Sequence, residues 1–465
     1  MRTVRLLWML GLATGIAHAQ SVVWRTPILA EFGNQAYAFL DERPGFDMPS
    51  ATMARCDKGE PGFVLPGAAM LSPSPWNTDI TPYIAKLATR DGRLLWHWSL
   101  ESEGLPEGRI ARIAVDASGD VLATGTVRGE SGSVELLLLK LDGSTGDVIW
   151  RVGSGVAGSG FDVALDAGGD AYVTHTGAAH AGQVVAKYSG SSGSLLWSTA
   201  FADAQSTWDD YKIVLGQDGN PVSAGFFVDF EPSPAVRGTR IAKFASATGA
   251  VSWERRLVTT AHDFGDGHLQ SFHLLQGGDL AVFTHLSVAQ PQLYLIDGED
   301  GAIRWHAWHD DMFFRSIAVT APDRILLAGS TPGAAGDIPL VRSIDVQSGS
   351  QLAEFQFPGI GPPGDIRWAW PATGGEMLLA ATSESAGTRT IHALATDPAS
   401  GDVLWRVDIA TPGSIENAPQ SLVQVADGSL FLGSMTVAAA DDQTWTLYKL
   451  TGPFADDLFA NGYDR

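Results

Sequence analysis

The chain alternates short apolar runs with polar turns, and the runs recur in sets of four. The first two runs of a set are clearest at residues 110–116 and 121–125, joined by Ala-Ser-Gly-Asp. The pair returns at 163–174, 213–224 and 422–433. A third run follows at 84–87, 138–141, 185–188, 241–244, 293–296, 340–344 and 391–394. The fourth opens on Gly and closes on Trp: Gly92 and Trp96, Gly146 and Trp150, Gly193 and Trp197, Gly249 and Trp253, Gly301 and Trp305, Gly401 and Trp405. Gly349 keeps the frame but ends on Ala353. Successive steps through this slot are 54, 47, 56, 52, 48 and 52 residues. The turn before each fourth run is rich in Asp, Ser, Thr and Gly, with Gly supplying positive φ. No helical period intervenes. Four short antiparallel strands repeated in this way predict the blade of a β-propeller.

The two ends decide the number of blades. Residues 447–450 form a third run with no Gly-x-x-x-Trp after it, and Val22-Val-Trp24 is a fourth run with nothing before it. Each completes the other. The sequence therefore predicts eight four-stranded blades, the first and last segments sharing one blade and closing the ring against an open sheet edge. Seven blades is the alternative, if the weak unit at Ala353 merges with its neighbour. Trp24, Trp96, Trp150, Trp197, Trp253, Trp305 and Trp405 are expected to fill the gaps between blades, burying roughly 150–250 Å² each. Phe355 or Phe357 is expected to fill the thinner contact at Ala353.

Leu-Asp-x-x-Thr-Gly-x-x-x-Trp, as at 141–150, resembles the tryptophan-docking motif of quinoprotein-like (pyrroloquinoline quinone, PQQ) propellers. The resemblance covers residues 22–450 and implies an eight-bladed ring. That fold carries PQQ-dependent alcohol dehydrogenases, the outer-membrane assembly lipoprotein of the BAM complex, and other exported propellers. Its dehydrogenases commonly set a disulfide of adjacent cysteines against the cofactor, and this chain has one cysteine, Cys56. Their calcium and catalytic carboxylates find no match, and no Cys-x-x-Cys-His attaches a haem. PQQ is therefore disfavoured and no cofactor is predicted. The BAM-type branch carries a lipidated N-terminal Cys, also absent here.

Composition adds the setting. Arg2 and Arg5, an apolar run over 6–16 and Ala17-His18-Ala19 predict a signal peptide over 1–19. The protein is then exported, periplasmic or extracellular. No later stretch is long enough to cross a bilayer. Without Arg2 and Arg5 the chain holds 28 basic and 52 acidic residues, a net charge near −24. This disfavours nucleic acid and anionic membranes as partners. One cysteine leaves no internal disulfide, so stability must come from the core. The propeller is expected over 20–451, with a Pro-rich elaborated loop of the first blade at 33–80. The tail, 452–465, resembles a short ending found on exported bacterial proteins.

The loop after each Trp leads to the next inner strand, beside the channel. Three such loops carry unusual residues: Thr207 to Tyr211, His262 to His268 and His306 to Asp311. His262, Asp263, Asp266, His268, His306, His309, Asp310 and Asp311 are the candidate ligands of a divalent metal. Polar loops of an acidic protein hold such residues without any metal, and the spacings match no standard motif. Trp208, Trp308, Trp368 and Trp370 are candidates to stack on sugars or flat ligands, or to pack. The Asp-x-x-Gly-Asp turns at 116–120 and 166–170 lack the spacing of a calcium loop and read as hairpin turns. These features predict a monomeric binding scaffold for a protein or glycan partner. The alternative is a divergent quinoprotein or a metal-dependent enzyme using the His/Asp rim loops.

Overall fold

The computed structural model describes residues 22–27, 36–37, 54–70, 80–100, 108–128, 132–152, 155–177, 182–200, 211–229, 236–259, 268–285, 291–309, 311–361, 363–372, 374–412, 414, 416–424, 429–439 and 442–450. The expected signal peptide and tail lie outside them. Among the described residues no helix is long and apolar enough to cross a membrane.

Eight antiparallel sheets form a ring, an eight-bladed propeller. Blade 2 shows the plan. Gly108–Val115, Val121–Arg128, Val134–Leu141 and Val148–Arg151 pair in that order, from the inner strand to the outer one that carries Trp150. Blades 3 to 7 repeat it over 160–200, 212–259, 268–308, 313–356 and 364–412. The unit at Ala353 is thus a full blade, and the count is eight. Blade 8 is built from both ends. Glu416–Gln424, Leu430–Ala439 and Asp442–Leu450 are completed by Val22–Pro27, with Val22 opposite Leu450 and Pro27 opposite Thr446.

Each blade is buried on both faces, which explains its continuous apolar strands. Side chains alternate across a strand. In blade 2, Leu137, Leu139 and Leu141 pack with Ile84 and Trp96 of blade 1, whose second to fourth strands are Gly62–Met70, Ile80–Ala88 and Leu94–Ser99. Leu136 and Leu138 pack with Val163 and Val173 of blade 3. A strand with one wet face would alternate instead.

The docking tryptophans interlock successive blades. The indole of Trp96 lies over Gly146, that of Trp150 over Gly193, and that of Trp305 over Gly349. The indole N–H then donates to a carbonyl of the same turn, Trp96 to Gly143 at 3.1 Å and Trp150 to Gly190 at 3.0 Å. Where Ala353 breaks the series, Phe355 reaches across to cover Gly401, and Phe357 is buried in the same core. Trp405 packs with Leu430 and Leu432 of blade 8. The side chain of Trp24 lies outside the described residues.

The stretch 33–80 is not loop throughout. Ala36–Tyr37 and Ala54–Cys56 both pair with Gly62–Met70, so two pieces share the inner place of blade 1. The second piece clamps blade 1 to blade 2. The Cys56 thiol is buried, 3.3 Å from the Gly119 carbonyl and 3.4 Å from that of Gly143. Lys58 bonds Asp120 at 2.5 Å and Asp142 at 2.7 Å.

Candidate functional site

Most charges of the repeat hold the ring together. Lys140 pairs with Asp116 at 2.7 Å, Lys187 with Asp166 and Asp170 at 3.1 Å each, and Lys243 with Asp218 at 2.8 Å. Lys140 and Lys243 also donate to carbonyls of the next blade, those of Gly190 and Gly298. The acidic turns are hairpin turns braced by a lysine of their own blade.

Of the eight candidate metal residues, the four that are described do not meet at one point. His262, Asp263, Asp266 and Asp310 lie outside the described residues, as do residues 207–210 with Trp208. His268 opens the inner strand of blade 5, opposite His285. His306 is exposed on an outer strand, its ring stacked on Tyr294 at 5.4 Å. His309 is buried, its ring edge-on to Phe314 and its Nδ1 3.2 Å from Arg342. Asp311 takes both ends of the same guanidinium, at 2.8 and 2.7 Å. Those bonds hold its carboxyl below the usual range, although burial pushes the other way. A guanidinium thus stands between His309 and Asp311, and a positive charge there repels a cation. Among the described residues no group of three or more His, Cys, Asp or Glu side chains comes together to hold a metal. Trp308 and Trp370 are half exposed, whereas Trp368 donates to the Pro419 carbonyl at 3.3 Å and so joins blades 7 and 8.

Charges converge elsewhere, on open space. A recess of about 210 Å³ lies where blades 6, 7 and 8 meet. Arg315 and Asp337 come from blade 6, Asp365, Arg367, Ser383, Glu384 and Arg389 from blade 7, and Asn417 from blade 8. Arg315 and Arg367 both reach Asp365, at 2.8 and 3.4 Å, and Arg389 reaches Glu384 at 3.2 Å. Asn417 donates to Thr411 Oγ1 at 3.0 Å and accepts from Thr436 at 3.0 Å. Three guanidiniums and three carboxylates therefore line one opening.

Beneath it runs a chain of hydrogen bonds. Ser383 Oγ is 2.7 Å from His392 Nε2, and His392 Nδ1 is 2.8 Å from Asp408 Oδ1. Arg406 bonds the same Asp408 oxygen at 2.6 Å and the Gly359 carbonyl at 3.1 Å. Burial lowers the pKa of His392, only partly offset by Asp408, so the ring is neutral near pH 7. Asp408 is held below the usual carboxylate range: burial opposes this, but the bonds from Arg406 and His392 outweigh it.

The sequence held a signal for this site. Nine residues before the turn glycine, four of the blades carry Tyr83, Leu137, Val184 and Leu340, where blade 7 has His392. A histidine at a core slot of a repeat is out of pattern. Its partners Ser383 and Asp408 sit on neighbouring strands, and nothing in the linear order marks them.

Neither a known protein family nor a curated protein matches the sequence. Solved structures do resemble the chain. A quinohemoprotein alcohol dehydrogenase of Pseudomonas putida HK5 aligns at TM-score 0.49 and 11% identity, over 86% of this chain and 75% of its own. A europium-containing methanol dehydrogenase aligns at TM-score 0.48 and 11% identity, over 89% and 96%. A protein of unknown function from Bacteroides caccae aligns at TM-score 0.35 and 15% identity, over 64% and 95%. Likeness at this level carries nothing about activity. The class of protein, an eight-bladed β-propeller, rests on the chain's own strand order.

Proposed function

We propose that this chain is an exported, monomeric binding propeller without a resident cofactor, and that the recess between blades 6, 7 and 8 takes a small charged ligand. The observation that carries this reading is the recess, where charges from three blades line open volume. Elsewhere the repeat's charges brace turns or tie strands and neighbouring blades together. The volume is below the roughly 300–1,000 Å³ of drug-sized sites, which favours a small molecule. The recess charges are balanced, and five of the six are already paired. A ligand with one sign of charge would strand a partner on entry, at a desolvation cost. A small zwitterion would satisfy both signs, its carboxylate at the arginines and its ammonium at Asp337 or Glu384.

Thermal melting and calorimetry with a panel of small amino acids, carboxylates and amines test this. Zwitterions should raise Tm by a few degrees, and Arg389→Gln should abolish the rise. A panel that moves nothing and gives no heat overturns the reading. Export is supported by the first nineteen residues, and a secreted product that begins at Gln20 would agree with it.

A protein partner is the second reading. Leu195, Leu196 and Leu404, on outer strands, are 55%, 51% and 54% exposed. Leu195→Ser with Leu196→Ser should then abolish capture of the partner without lowering Tm. The metal-centre alternative has less support, because Arg342 occupies His309 and Asp311.

A further inference from the structure

The hydrogen-bond chain under the recess has the order of a nucleophile, a base and an orienting acid. Ala381 lies opposite His392 and His392 opposite Asp408, so these side chains leave one face of blade 7. Ala381 packs against Ala328 and Val341, so that face is turned to blade 6. Ser383 is the member that lines the recess. Both links fall within the 2.6–3.2 Å that proton transfer requires.

The tautomer follows from the partners. Arg406 Nη2 is 3.1 Å from His392 Nδ1, but the Asp408 oxygen is closer, at 2.8 Å, and charged. A guanidinium accepts nothing. The Nδ1 proton therefore points to Asp408 and leaves Nε2 to accept from Ser383. Arg406, bonded to Asp408, keeps that carboxylate in place.

Other blades set a buried arginine against a carboxylate of the neighbouring strand. Arg240 meets Glu254 at 3.0 Å in blade 4, and Arg342 meets Glu354 at 2.8 Å in blade 6. Blade 7 differs in two respects: its base titrates, and that base holds a hydroxyl at the edge of an open recess.

We propose that Ser383, His392 and Asp408 form an acyl-transfer centre that hydrolyses small charged esters held in the recess, a function that rests on the recess binding such a ligand. Ser383 Oγ attacks the ester carbonyl carbon while its proton passes to His392 Nε2. The carbon–oxygen bond to the alcohol breaks, and the alcohol leaves with that proton. Water then attacks the acyl-serine and gives a proton to Nε2. That proton returns to Ser383 as the acid is released. Arg315 and Arg389, lining the same recess, supply positive charge toward the developing oxyanion. Asp408 is a positioning residue.

Diisopropyl fluorophosphate tests this on the full-length protein, because an activated serine displaces its fluoride and becomes phosphorylated. Peptide mass spectrometry should place the label on Ser383. Ser383→Ala should remove it, and Ser385→Ala, at the exposed end of the same strand, should not. His392→Gln should slow labelling by at least about a hundredfold. Asp408→Asn should slow it about tenfold or more and shift its pH profile, which a packing role would not do. Melting curves establish that each variant is folded. A folded wild-type protein that binds a zwitterion but takes no label on Ser383 overturns the acyl-transfer centre and leaves the binding reading intact. If neither occurs, both fall. Labelling that Asp408→Asn leaves unchanged in rate and pH profile also overturns the array.

Discussion

At the scale of single residues, a turn glycine that lies under a docking tryptophan meets two demands at once. Gly193 has φ +70°, and a Cβ there would sit 2.7 Å from the Trp150 ring. Any other residue is strained by its backbone and also collides with a rigid indole. Gly193→Ala should cost about 2 kcal/mol and Trp150→Ala about 3–5 kcal/mol, read as shifts in urea midpoint. The two should not add, because they spoil one contact. Blade 6 offers a second test. Phe355→Ala should cost about 3 kcal/mol by uncovering Gly401. Ala353→Trp added to it should recover part of that loss, since it restores the ring at the usual slot. No recovery would mean that blade 6 has repacked around the phenylalanine.

At the scale of elements, the inner strands of six blades share an irregularity. Pairing slips by one residue between Ile110 and Arg112, Gly160 and Asp162, Leu269 and Ser271, Phe314 and Ser316, Ile366 and Trp368, and Pro419 and Ser421. A bulge sharpens the twist. Side chains near these bulges tie neighbouring blades: Arg112 to Asp162 at 2.9 Å, and Arg315 to Asp365 at 2.8 Å. On the blade 5 inner strand, Ser271 Oγ lies 2.5 Å from His273 Nε2. Desolvation, with Lys212 and Arg112 adding repulsion, pushes the His273 pKa down to about 4. The unfolded chain, near 6.5, then binds the proton more readily. The stability from this residue is present above about pH 6.5 and is lost as pH falls toward 4. The full shift is worth about 3 kcal/mol, but His273 as a residue is only partly buried, and about 1–2 kcal/mol is expected. His273→Gln should flatten the fall in urea midpoint between pH 7 and pH 5. An unchanged slope would place the acid sensitivity elsewhere.

At the scale of the molecule, the ring depends on Val22–Pro27 reaching Asp442–Leu450 across the whole chain. A protein that begins at residue 28 should retain seven blades but expose the edge of blade 8. We expect its Tm to fall by about 10 °C and its tendency to aggregate to rise, with partial rescue by a peptide of residues 20–28. A net charge of −22 also spreads repulsion over the surface. Raising NaCl from about 0.01 to about 0.5 M should therefore raise Tm. A fall in Tm would mean that ion pairs such as Arg315–Asp365 outweigh that repulsion.

Repetition made the architecture legible. Six Gly-x-x-x-Trp copies set the period, and the two unmatched ends forced the closure, because an unpaired strand at each terminus has one partner that satisfies both. That Phe355 or Phe357 stands in for the missing tryptophan was also visible, since alternation places residues 353, 355 and 357 on one face, and the structure selects Phe355 to cover Gly401. Tertiary structure decided the rest. Asp311 is one residue in a rim loop until Arg342, from another strand, takes both its oxygens. Ser383, His392 and Asp408 lie nine and sixteen residues apart and meet only because three strands align in register. The linear order records what each residue carries, and the pairing register sets which of them touch.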